Sequence, residues 1–395
     1  MTMQQPPPAS AYHLVWVYPV PLATVLDSAT WLQTTQALRR LGWQVTLVGK
    51  GPTGEHLING VQVTCIATVE KYLLNTLVFH LRVLLFLWRH WRTTDVVFFH
   101  QLSAPWLLPL RLLRPLLGGP SPQLVMDTRD LNVVDGSLKN RLRRTYFEMT
   151  HRLANLWADG QTAITPRMAE LVKIPRARRW GYWPSGVSLD RFADLHCGRE
   201  WPAPNQAVEL IYVGKLHSER NLLPLCTAVE QANRQGMNFR LTFVGSGPEQ
   251  AKLEAAAATS AGRIRLLPAV SHERIPDLLR STHCGVTSLP APGDRKVEAS
   301  NPIKLFEYMA AGLPLLATSN ACHTDVVDGG RYAFWAHGVD PESLLRALAS
   351  IEAAKGNLSE LGEEARKSVH RWSWSAAGEQ LDKALKLGLL HASYT

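Results

Sequence analysis

Apolar residues recur along this chain in two alternating rhythms. Short runs rich in β-branched and aromatic residues read as strands: YHLVWVYP at 12–19, WQVTLVGKG at 43–51, TTDVVFFH at 93–100, QLVMDTRDL at 123–131 and DGQTAIT at 159–165. Longer stretches with helical spacing separate them. One such helix is expected at 31–41, after a loop holding Asp27 and Ser28 and before Gly42, which closes it. The second half repeats the scheme, with strands ending at Gly214 and Gly245 and another at 313–317. Strand and helix in regular alternation imply parallel sheets covered on both faces.

The turns of the second half carry chemistry. The strand ending at Gly214 is followed by Lys215 and, further on, Arg220. The strand ending at Gly245 continues as Gly245-Ser246-Gly247-Pro248, and Pro248 suits the first position of a helix. Glycine lets a phosphate or ribose approach the backbone, and a helix N-terminus supplies N–H donors. The stretch NPIKLFEYMAAGLPLLAT, residues 301–318, then places Pro302 and Lys304 at a helix start, Glu307 one turn on, and Gly312 as the helix stop. Each motif has an ordinary structural reading as a turn, a surface charge or a solvated acid. Three strand-to-helix turns in order, all with phosphate or hydroxyl chemistry, point to a nucleotide-sugar site.

The segment 71–91, KYLLNTLVFHLRVLLFLWRHW, is nearly long enough to span a bilayer. Arg82 sits at its centre, which costs about 2.5–3.5 kcal/mol on insertion scales, and a strand follows directly. A helix of the domain is the first reading, and a helix partly exposed to a membrane interface the second.

Composition changes the picture in three ways. The five cysteines are scattered with no C-x-x-C pair, so neither disulfides nor a zinc site is expected. The opening MTMQQPPPAS reads as a disordered tail without the pattern of a signal peptide. The charge is lopsided. Residues 1–190 hold 20 Lys and Arg against 11 Asp and Glu, while residues 191–395 hold 22 of each. No nucleic-acid motif accompanies the excess, so nucleic acid is not an expected partner. An anionic membrane surface is, because the same half holds Trp88, Trp91 and Trp106.

The second half resembles the donor domain of the family-4 retaining glycosyltransferases of GT-B architecture. The resemblance rests on the two glycine turns and on residues 301–318, with support from WPSGVSLDRF at 183–192 and HRWSWS at 370–375. It implies an α/β fold of two Rossmann-like domains facing a cleft, with a C-terminal helix crossing back to the N-terminal domain. The domain bounds are a tail at 1–10, an acceptor domain at 11–186, a donor domain at 187–370 and the returning helix at 371–395. By resemblance, Lys215 stands where the family has Arg and Arg220 where it has Lys, both on the donor diphosphate. Gly214, Gly245, Gly247, Ala269, Val270, Asn301, Pro302, Lys304 and Leu305 line the donor, and Glu307 takes the ribose. The family signature has a first Glu eight positions earlier. Here that position is Ala299, with Glu298 adjacent but out of register. A subset of the family lacks this acid. His100 corresponds to a His near the reacting sugar, and Asp27, Arg129 and Asp130 are candidates for the acceptor or cleft.

The implied reaction is glycosyl transfer with retention, from a UDP- or GDP-sugar to a lipid-linked or saccharide acceptor, in cell-surface polysaccharide or glycolipid synthesis. No Asp-x-Asp triplet occurs, so neither metal nor another cofactor is expected. The expected location is the cytoplasm, with peripheral attachment to the inner face of the plasma membrane. An epimerase or phosphorylase-like enzyme on the same scaffold, or a decayed nucleotide-sugar-binding protein, are the alternatives.

Overall fold

The structure, a computed structural model, describes residues 12–23, 28–69, 72–131, 138–195, 198–287, 289–291 and 293–393. It divides into two compact units, the first comprising Met1–Ser185 with Trp374–Thr395 and the second Gly186–Ser373.

The first unit runs β1 (His13–Val17), α1 (Ala29–Arg40), β2 (Gln44–Lys50), β3 (Gly54–Ile58), β4 (Val61–Ile66), α2 (Tyr72–Arg89), β5 (Val96–His100), α3 (Ala104–Leu117), β6 (Gln123–Thr128), α4 (Leu138–Trp157), β7 (Gly160–Ala163), α5 (Pro166–Leu171) and β8 (Arg179–Tyr182). Its sheet has the order β3-β4-β2-β1-β5-β6-β7-β8. Every pairing is parallel except that of β3 with β4. That antiparallel hairpin is an addition to the plain alternation expected from the sequence. It turns on Asn59 and Gly60, both at positive φ (46° and 75°), as a tight two-residue hairpin requires.

The second unit runs β9 (Val208–Val213), α6 (Leu222–Arg234), β10 (Phe239–Val244), α7 (Gln250–Thr259), β11 (Ile264–Leu267), α8 (Ile275–Leu279), β12 (Cys284–Val286), α9 (Arg295–Glu298), α10 (Ile303–Ala310), β13 (Leu315–Thr318), α11 (Ala321–Val327), β14 (Ala333–Ala336), α12 (Pro341–Ala353) and α13 (Leu358–Ser368). Its sheet is all parallel, in the order β11-β10-β9-β12-β13-β14. This is the doubly wound order, with the direction of winding reversed between β9 and β12, where ligands of such sheets bind.

Each sheet is covered on both faces, so its strands read as nearly continuous apolar runs. In the second unit α6 and α12 bury Leu225, Val229, Leu344 and Leu348 against one face, and α10 buries Phe306 and Met309 against the other. In the first unit α2, α3 and α4 pack on one face through Phe79, Val83, Leu107 and Trp157. The other face holds α1 and the last helix, α14 (Trp374–Ser393). Leu381 and Leu385 of α14 are fully buried there, and Asp382 accepts a 2.6 Å hydrogen bond from the Trp43 indole. The C-terminal helix thus returns to the first unit, as the sequence led us to expect. Two local expectations are corrected. The helix after Gly247 starts at Gln250, not at Pro248, because the Glu249 N–H is taken by the Leu216 carbonyl. Of the three tryptophans placed near a surface, only Trp88 is exposed; Trp91 is buried and Trp106 stacks on His80.

Candidate functional site

The site of the second unit is built on the ends of β9 and β10. Beyond the strands, the two chains stay bonded: Gly214 N–H donates to Val244 O, Leu216 N–H to Ser246 O, and Glu249 N–H to Leu216 O. The backbones approach so closely that a Cβ on Gly245, at φ 155°, would run into the Gly214 carbonyl oxygen. Only glycine fits there. The sequence motif therefore serves first to join two strand ends into one glycine-surfaced ledge at the switch point.

Lys304, from the first turn of α10, reaches this ledge. A Cβ on Gly214 would lie 2.5 Å from its Nζ, and the ammonium rests 4.1 Å from the centre of the Tyr212 ring. Burial, with Arg220 adding repulsion and Glu307 opposing it, draws the Lys304 pKa down to about 7. Arg220 sits half-buried just before α6, while Lys215 is exposed on the ledge. His323 of α11 feels the charge of both Lys304 and Arg220. Its Nδ1–H donates to the Thr318 carbonyl, and its buried Nε2 has no hydrogen-bond partner among the described residues. Burial holds its pKa at about 4, so it stays neutral and presents a bare acceptor nitrogen. The ledge thus combines three cations, Lys304, Arg220 and Lys215, with backbone that a phosphate can touch.

Glu307, one turn along α10, is buried, and its Oε1 lies 2.5 Å from His272 Nε2. The Arg191 guanidinium donates to His272 Nδ1 and to the His272 carbonyl. A donor on Nδ1 leaves the ring proton on Nε2, so the His272 N–H points at the carboxylate. Arg191, His272 and Glu307 form one chain of contacts that orients a single acid. Neither Arg191 nor His272 was singled out from the sequence, although Arg191 lies in the segment 183–192 that supports the family resemblance. The helix ends where expected, with Leu313 N–H on Tyr308 O and Gly312 at φ 68°.

The other candidates of this unit separate by burial. Leu305 is fully buried in the core, so its side chain offers nothing to a ligand. Ala299 is fully buried too, and Glu298 is half-buried beside it. Ala269 and Val270 are exposed in the loop after β11, and Asn301 and Pro302 are half-buried ahead of α10.

A second cluster lies at the ends of β5 and β6 in the first unit. His100 is buried at the end of β5, edge-on to Tyr18, with Nε2 3.6 Å from Asp130. His151 of α4 joins it electrostatically; burial first, then His100, hold its pKa at about 4, with Asp130 opposing. Arg129 faces inward. It stacks 3.6 Å over Trp183, donates to the Trp183 carbonyl and Ser185 Oγ, and lies 4.0 Å from Asp127. Asp127 is itself held by Thr162 and Trp183, and burial pushes its pKa up. Asp27 lies outside the described residues. Among the described residues no group of three or more His, Cys, Asp or Glu could hold a metal ion, and no helix is long and apolar enough to cross a membrane.

Residues 207–353 match the family described as "Glycosyl transferases group 1". The colanic acid biosynthesis glycosyltransferase WcaL assigned in Escherichia coli K12 is 27% identical over 180 residues, 44% of this chain and 41% of that one. The matched part is thus about two fifths of the length of the curated relatives. Sucrose-phosphate synthase from Thermosynechococcus elongatus has a TM-score of 0.72 at 16% identity, over 97% of this chain and all of the other. HepE of Anabaena, solved with UDP, gives 0.65 at 14% identity, over 95% and 99%. At such identities the structural likeness establishes the fold. The chain is a GT-B-fold protein of two Rossmann-like α/β domains, related to the group 1 glycosyltransferases.

Proposed function

We propose that the protein is a retaining glycosyltransferase that moves a sugar from a nucleotide-diphosphate sugar to a hydroxyl acceptor. The observation that carries this reading is the ledge of Gly214, Gly245 and Gly247, faced by Lys304 with Arg220 close by, and with an oriented acid at Glu307. The cations suit a diphosphate, and the carboxylate suits ribose hydroxyls. In the reaction the bond between the sugar's anomeric carbon and the β-phosphate breaks. The acceptor oxygen bonds to that carbon on the same face, and its proton passes to the departing phosphate. Lys304, Arg220 and the exposed Lys215 stabilise the charge that develops on the leaving group. The site needs no metal for this, and His100 with Asp130 is the first unit's candidate contribution. The relatives assigned to colanic acid synthesis make a cell-surface saccharide acceptor the first class to test, and HepE's complex with UDP makes UDP-sugars the first donors, with GDP-sugars next.

The test is release of nucleotide diphosphate from a panel of UDP-, GDP- and ADP-sugars, with and without saccharide acceptors, in the presence of EDTA. Release that requires an acceptor supports transfer. Epimerised donor with no release would overturn it. A second reading, a binding protein without transferase activity, is favoured by buried Ala299 in place of the family's first acid. Donor-induced thermal stabilisation without turnover would establish that alternative.

A further inference from the structure

We infer that the outward face of α2, α3 and α4 is a docking surface for an anionic lipid bilayer. The three helices lie on one face of the first sheet, α2 beside α3 and α3 beside α4. Their inner sides fill the core, yet their outer sides are apolar as well. On α2, Leu74, Leu77, Leu81, Leu85 and Trp88 are exposed at helical spacing, forming one stripe opposite buried Phe79, Val83 and Leu87. On α4, Leu142, Met149 and Leu156 form a second stripe at heptad intervals, with Leu156 76% exposed. Leu112 and Leu116 of α3, the latter 81% exposed, lie on the helix between them. This is not a general failure to bury apolar surface. The second unit exposes only Leu267 and Val270 among its described large apolar side chains.

Charge selects the occupant. The three helices carry nine Arg and Lys against a single acid, Glu148. Arg82, Arg89, Arg141 and Arg152 are exposed among or beside the apolar stripes. Apolar side chains that enter the acyl boundary, interleaved with arginines that reach the headgroups, suit a negatively charged bilayer. The inner side of α2 is committed to the sheet and Arg82 lies mid-helix, so α2 would lie along the membrane and not through it. The glycosyl-transfer reading, if it holds, then directs attention to acceptors anchored in that membrane. The docking itself does not depend on it.

The test is co-sedimentation of the full chain with vesicles of phosphatidylcholine alone or mixed with phosphatidylglycerol, at low and high salt. Binding to the mixed vesicles, weakened by salt, is expected. Leu81→Glu/Leu85→Glu/Trp88→Glu should lower partitioning by at least about tenfold with an unchanged melting temperature, because these side chains are solvent-exposed. Leu142→Glu/Leu156→Glu, on a separate helix, gives the same readout if the first variant misfolds. Equal binding to both vesicle types, no binding to either, or full binding by both variants would overturn the inference. So would a dimer in solution that either variant splits into monomers. Because no donor or acceptor is present, none of these outcomes bears on the transferase reading.

Discussion

Lys304 should make nucleotide diphosphate binding steeply pH-dependent just above neutrality. An exposed lysine would stay charged to about pH 10 and leave affinity flat across this range. Here burial and Arg220 lower the pKa to about 7, although Glu307 pulls the other way. A diphosphate seated against the ammonium raises that pKa again, so binding takes up a proton above pH 7. Affinity is therefore highest below the free pKa and falls as pH rises. With the free value near 7 the fall approaches tenfold per pH unit, or about fiftyfold from pH 7 to pH 9. Two neighbouring groups do not mimic this slope. His323 titrates near 4, and the nucleotide's last phosphate proton, with a pKa of about 6, is already gone. The assay is calorimetric titration of UDP and GDP over this range in buffers of different ionisation enthalpy, which counts the proton directly. Lys304→Met keeps the aliphatic stem over Tyr212 and removes the titration, so its affinity should be low and flat. Flat or rising affinity in the wild type, or an unaltered slope in Lys304→Met, would refute the placement of the ammonium on the diphosphate.

Two further outcomes test the same site. Arg220→Ala and Lys215→Ala should each cut turnover by at least tenfold, or about 1.4 kcal/mol, with Arg220 the larger because it is the less solvated; wild-type turnover in both would remove the clamp. Glu307→Gln should weaken donor binding by roughly 1.5–3 kcal/mol through loss of charge-assisted bonds, and His272→Phe should weaken it to a lesser degree by releasing the carboxylate; dissociation constants unchanged in both, measured by titration, would sink the ribose contact.

Much of the fold was legible because its signals are local. Gly214 and Gly245 mark backbone where an added Cβ would collide, Gly312 marks a left-handed helix stop that glycine adopts at least cost, and strand–helix alternation implies a parallel sheet. The β3–β4 hairpin, although its Asn59-Gly60 turn is a strong short hairpin signal, is a local interruption of the strand–helix alternation on either side of it and does not follow from that alternation. At the site, the turn after β9 pointed to Lys215 and Arg220 together as the cations on the diphosphate, with Lys304 read as a further contact at a helix start. Side-chain reach could not be read from spacing, and Lys304, some ninety residues later, is the one brought against the Gly214 turn. His272 and Arg191 escaped for the same reason, since their contact with Glu307 exists only once α10 and the loop after β11 are packed together. The amphipathic pattern of α2 showed that the helix was apolar but not which of its two apolar faces would be left in water.

The return of α14 to the first unit has a consequence for biosynthesis. The second unit is one uninterrupted segment, whereas the first must wait for α14, which is made after the whole of the second. Until α14 emerges, Trp43 lacks its acceptor on Asp382, and the sheet face that receives Leu381 and Leu385 stands open. On the ribosome the order of completion is therefore reversed relative to the order of synthesis: the later-made second unit closes first, and the earlier-made first unit is sealed only when α14 arrives. A nascent chain stalled before Trp374, or a gene truncated there, would leave an exposed apolar sheet in the first domain rather than merely a shorter tail.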